Sequence, residues 1–134
     1  AHVSLSATRL DWRVRKPGTY AALATEITAT GYGGLSIQFS GFANLTQTDG
    51  GDGEIEAFYG FGDTLADVEG MENGNVEQWT PAENLNGQSR ELDLTSSEPA
   101  VLRMWSKVRV GDEDPSAEYE DYKGGVITFI VSNN

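Results

Sequence analysis

Between Asp49 and Glu83 the chain places ten carboxylates and no base, interleaved with seven glycines. Clustered hard oxygen donors on a backbone free to curl are what a calcium ion needs, since it takes about six to eight oxygens in a flexible shell. Asp49, Asp52 and Glu54, with Asp63 further along, are the better candidate calcium ligands; Asp112, Glu113 and Asp114 with Glu118 or Asp121 make a second set. The EF-hand spacing and its closing glutamate are absent. Gly50-Gly51-Asp52-Gly53 occurs once, where calcium-binding β rolls repeat such units. The plain alternative is an acidic turn that stays solvated, so structural calcium is a candidate and no cofactor is firm.

Carboxylates could also do acid–base chemistry. Glu54/Glu56 and Glu118/Glu120 are spaced two apart, which puts each pair on one face of a strand. A glycosidase instead needs two acids in different environments across a sugar-sized cleft. His2 is the sole histidine and lies next to the chain start, where residues fray, so no Ser–His–Asp arrangement can be built. The expectation is a protein that is not an enzyme. Sugar binding needs ring faces beside polar groups. Trp105, Trp79 and Tyr59 are the candidate ligand platform, with Tyr119 and Tyr122 in reserve, and Trp105 falls between Arg103 and Lys107. Packing against other side chains is the competing role for each ring. Asn44-Leu45-Thr46 fits the N-glycosylation acceptor pattern, which matters only in a glycosylating secretory route.

The elements that would position these residues read as strands. In 134 residues, one domain (1–134) is expected. Period-two alternation recurs and no long helical stripe does. Val3, Leu5 and Ala7 alternate with small polar residues, and Leu10 and Trp12 continue on the other parity, which suggests a bulge near Arg9. Leu23, Thr25, Ile27 and Ala29 share a face, and Leu35, Ile37 and Phe39 follow after a glycine-rich turn, a pattern that reads as a hairpin. Ile55, Ala57, Tyr59 and Phe61 point one way in the next strand. A short helix over Thr64–Met71 would align Leu65, Val68 and Met71. From Ala100 to Val110, Leu102, Met104, Val108 and Val110 alternate with Arg103, Trp105, Lys107 and Arg109. In the last strand Ile127, Phe129 and Val131 share one face, while Val126 and Ile130 leave the other unusually apolar. Such a segment is either central in a sheet or covered by a partner. The fold class expected is all-β, an Ig-like or jelly-roll β-sandwich of about seven to nine mostly antiparallel strands.

Charge narrows the partners. The chain nets −12. Neither nucleic acid nor an anionic membrane surface is expected as a partner, because a basic footprint is missing. Residues 1–48 hold four bases against two acids, a net of +2; the remainder holds 19 acids against five bases, a net of −14. Such a division could steer copies head to tail, although surface solubility alone would account for it. There is no cysteine, hence no disulfide and no thiolate metal site. No apolar run reaches transmembrane length, so no transmembrane segment is expected. The chain opens on Ala1, which fits a processed mature N-terminus and an artificially trimmed chain equally well.

The strand at Val101–Val110, the acidic connection, Tyr122-Lys123-Gly124-Gly125 and the closing strand Val126–Val131 resemble the end of secreted fimbrial, pilus-type subunit domains. Val3–Thr8 is similar to the donor strands of such subunits. Leu10-Asp11-Trp12 before Pro17-Gly18 also resembles extracytoplasmic Ig-like modules. The cysteine pair common in usher-assembled pilins is absent here. The resemblance implies a secreted or cell-surface structural subunit that polymerises into a filament or pilus. Residues 1–12 would be the donated strand, and Val3, Leu5 and Ala7 would enter a neighbour's core. The competing expectations are an ordinary first strand and a carbohydrate-binding or adhesive module with a glycan as partner.

Overall fold

The computed structural model describes residues 2–10, 12, 17–48, 53–69, 79–111, 122–124 and 126–133. The described chain is all-β. Its strands are β1 (His2–Leu5), β2 (Gly18–Thr30), β3 (Gly33–Ser40), β4 (Leu45–Gln47), β5 (Glu54–Phe61), β6 (Thr80–Pro81), β7 (Ser89–Leu94), β8 (Ala100–Val110), β9 (Tyr122–Lys123) and β10 (Thr128–Asn133). Every pairing among them is antiparallel. The larger sheet has the order β1-β2-β8-β5-β4-β9, with β6 also on β5; the smaller has three strands in the order β10-β3-β7.

Alternation sets the inner faces. Ile55, Ala57, Tyr59 and Phe61 of β5 are buried, as are Leu102, Met104, Val108 and Val110 of β8, both on the parity their spacing predicts. Leu35, Ile37 and Phe39 face them from β3. Phe39 stacks on Phe61 with ring centroids 5.2 Å apart, which joins the two sheets. Phe42 meets Tyr59 edge-on at 4.8 Å, and Phe129 meets Phe39 edge-on at 5.8 Å. Each fully buried aliphatic or aromatic side chain here contributes about 1.5–3 kcal/mol relative to exposure.

The hairpin expected between the second and third strands does not form. β2 pairs with β1 and β8, whereas β3 pairs with β10 and β7. The turn at Gly31–Tyr32, followed by Gly33 at φ 90°, carries the chain from one sheet to the other. The same alternation serves both outcomes, because Ile27 and Leu35 fill one core from opposite sides. The bulge expected near Arg9 does not occur, because β1 ends at Leu5; the register irregularity lies in β2 instead. Register shifts between Leu23 and Thr25, so Leu23 pairs with outward Trp105 while Thr25 pairs with inward Met104. Ala24 is the extra residue of this bulge.

Helix α1 (Leu65–Glu69) lies inside the span predicted for it, and Met71 falls outside the described residues. It starts in a reciprocal cap: Asp67 N donates to Thr64 Oγ1 at 3.2 Å, and Thr64 N donates to Asp67 Oδ2 at 3.1 Å. Val68 is buried beneath it. Gly41 sits at φ 80°, and a β-carbon there would collide with the Val126 carbonyl oxygen, so the approach to β10 depends on that glycine. Among the described residues no helix is long and apolar enough to cross a membrane.

Candidate functional site

The residues that stand out sit at the edges of the two sheets. β10 pairs with β3 alone among the described residues. Its register puts Phe129 beside Phe39 and Val131 beside Ile37 on the inner face, with Ile130 beside Gln38 on the outer one. Ile37 is fully buried, yet Val131 next to it is 40% exposed; Ile130 is 51% exposed and Val126, just before the strand, 81%. The core therefore runs out of cover at β10. From Val126 to Asn134 there is no charged residue and no proline. Edge strands are ordinarily blunted by lysine, proline or a bulge, because their free N–H and C=O groups template further pairing. A short, uncharged, β-prone segment carries none of that protection. Of the two sequence expectations for this segment, central or partner-covered, the described residues fit the second: among them β10 is an edge.

β1 is the edge of the larger sheet. It pairs with β2 in the register His2–Thr30, Val3–Ala29, Ser4–Thr28, Leu5–Ile27. The association continues past the strand through one backbone bond and two side chains. Ser6 N donates to Glu26 O at 3.0 Å and Glu26 N to Ser6 Oγ at 2.8 Å. Ala7 N donates to Thr25 Oγ1 at 3.3 Å, and that hydroxyl donates to Ala7 O at 2.8 Å. Of the three expected donor residues, Val3 is half-buried against the core and Ala7 half-buried, while Leu5 is 39% exposed although its neighbour Ile27 is fully buried. In this state the segment is a strand of its own sheet. The apolar spacing identifies this segment; for the part played by Ser6 and Thr25 the sequence offers one signal, a threonine on an otherwise apolar inward row.

Of the better calcium candidates only Glu54 and Asp63 are among the described residues, and these two are not brought together. Asp49 and Asp52 lie outside the described residues, as do Asp112, Asp114, Glu118 and Asp121. Glu54 opens β5 and accepts from Asn44 Nδ2 at 2.6 Å, whereas Asp63 lies beyond the far end of that extended strand and pairs with Arg103 at 3.6 Å. Gln47 and Gly53 are joined by two bonds, with Gly53 N donating to Gln47 Oε1 at 2.8 Å and Gln47 N to Gly53 O at 3.2 Å. Among the described residues, no three His, Asp or Glu side chains converge on a point.

The aromatic candidates divide between the two faces of the larger sheet. Tyr59 is in the core, and burial raises its phenol pKa above 10, an effect only partly offset by the neighbouring Ser106 hydroxyl. Ser106 Oγ itself is buried without a partner at full hydrogen-bond geometry. Trp79 and Trp105 belong to the outer side. The Lys107 ammonium lies 4.9 Å from the ring centroids of both Trp79 and Phe58, and Arg109 stands 5.1 Å from Phe58. Trp105 Nε1 donates to Gly62 O at 2.9 Å. The cations here also meet acids: Arg103 with Glu26 at 3.5 Å and Arg109 with Glu56 at 3.6 Å, exposed pairs worth about 0–1 kcal/mol each. The outer rings are thus engaged by the protein's own side chains, and the three candidates form no common platform.

Asn44 holds the start of β5. Its Oδ1 accepts from Ala57 N at 3.0 Å while its Nδ2 donates to Glu54, so the nitrogen a glycan would require is already bonded. His2 is exposed at the start of β1, and Glu54 and Glu56 are both exposed on the outer side of β5. No family model matches this chain, and no curated protein or solved structure matches it either.

Proposed function

We propose that this chain is a secreted or cell-surface structural subunit that polymerises with copies of itself by strand addition, the free edge of β10 being the acceptor. One observation carries the reading: a strand that is an edge among the described residues, apolar on both faces, uncharged, and left exposed at Val126, Ile130 and Val131. An added strand would pair with the open backbone of β10, and its alternate side chains would extend the inner face beyond Val131. In this reading the two sheets make an Ig-like or jelly-roll sandwich whose smaller sheet is one strand short. The donor is the first segment of a second copy, with Val3, Leu5 and Ala7 at the needed period. Its flank holds Arg9, Arg13, Arg15 and Lys16, a local positive balance suited to an acceptor body that nets −14. Donation of this kind is heterologous and builds an open filament rather than a closed dimer.

Electron microscopy of concentrated protein tests it, with fibres of regular axial repeat as the expected result. Deleting residues 1–8 should abolish fibres and leave a folded monomer, because the buried core lies outside that segment. Fibres formed equally well by the deletion variant would overturn donation by this segment. A strictly monomeric full-length chain that binds a defined glycan would favour the carbohydrate-binding module instead.

A further inference from the structure

We infer that β1 is a stored strand: pairing with its own β2 keeps the subunit from assembling, and release of this latch is the step that permits polymerisation. The inference rests on the strand-addition reading above, and adds that the segment has two alternative partners. Three observations support it. β1 is in register on β2, so the donor segment is occupied in the single subunit. Its hold is slight, since Val3 is only half-buried and Leu5 is 39% exposed. Beyond Leu5 the attachment is short: one backbone bond from Ser6 N to Glu26 O, the exposed Ser6 hydroxyl, which water can replace, and the Thr25 hydroxyl on Ala7. Opening β1 therefore needs no disruption of the Phe39–Phe61 core, and it falls at the low end of local opening free energies. On β10 of a second copy the same side chains would meet the uncovered Val131 margin, where Leu5 gains the cover it lacks on β2. The latch sets a competition between intramolecular and intermolecular pairing, so assembly should show a concentration threshold.

The test staples β1 to β2. Ser6 N bonds Glu26 O, so alternation along the antiparallel ladder makes Val3–Ala29 a non-hydrogen-bonded pair, whose Cα atoms are close enough for a disulfide. The chain has no other cysteine, so Val3→Cys with Ala29→Cys can form only this bridge within a subunit. The oxidised double variant should remain monomeric at concentrations where its reduced form and the wild type make fibres. Adding a thiol reductant should restore assembly at least tenfold faster than in the oxidised sample. In the wild-type monomer, hydrogen exchange at Ser4 and Ser6 should be faster than in β8. Equal assembly of oxidised and reduced forms would overturn the latch while leaving strand addition intact. Failure of wild type and reduced variant alike to assemble would instead overturn the strand-addition reading, and the latch with it.

Discussion

Replacing Ile130 with lysine should separate the open edge from the rest of the surface. Val126, Ile130 and Val131 are 81%, 51% and 40% exposed. Together they leave in water the equivalent of under two aliphatic side chains, and covering them is worth about 3–5 kcal/mol to an assembly. Half of Ile130 accounts for about 1 kcal/mol of that. A lysine there forfeits this contribution and sets a hydrated ammonium on the strand edge, the device natural edge strands use to refuse a partner. A combined loss of about 2 kcal/mol corresponds to an assembly threshold raised about thirtyfold. The matched control is Val101→Lys. Val101 is 42% exposed, and it pairs with Thr28 on the outer face of β8, a strand inside the order of the larger sheet and remote from β10. Sedimentation velocity over a concentration series reads the threshold, and thermal melting checks that both variants stay folded. Ile130→Lys should shift the threshold and Val101→Lys should not. An unshifted threshold for Ile130→Lys, or an equal shift for both, would refute the argument that the edge drives association.

Two further outcomes concern the monomer. Burial raises the Tyr59 pKa, so the folded state keeps its phenol proton at a pH where the unfolded chain has begun to lose it. The resulting stability is complete below about pH 10 and is lost as pH rises through the folded value. Tyr59→Phe should flatten this alkaline decline in urea midpoints measured between neutral pH and pH 11, and an unchanged slope would show that another group causes it. Asn44→Ala should cost about 1–3 kcal/mol in chemical denaturation, because it strands the N–H of buried Ala57. A cost within about 0.5 kcal/mol would mean that water replaces the amide at no loss.

Local pattern was enough to determine which side chains face inward along most strands. β5 and β8 follow their alternation residue by residue, because a strand with one buried face admits a single parity. The same pattern also disclosed that Val126–Val131 is apolar on both faces, which set the question of what covers it. It could not say which strands pair. β2 and β3 each present an apolar face beside a glycine turn, and that description suits a hairpin and a crossing between sheets equally well. The choice depends on contacts with β8, β10 and β7, remote in sequence. Nor could alternation foresee the bulge at Ala24, which moves Leu23 to the outer face, or the engagement of Trp79 and Phe58 by Lys107, which needs three separate segments. Edge position is likewise a property of the whole sheet order. Only the tertiary structure places β1 on β2 and, among the described residues, leaves β10 with β3 alone, because the number of strands covering a face is decided by the fold and not by any one strand's composition.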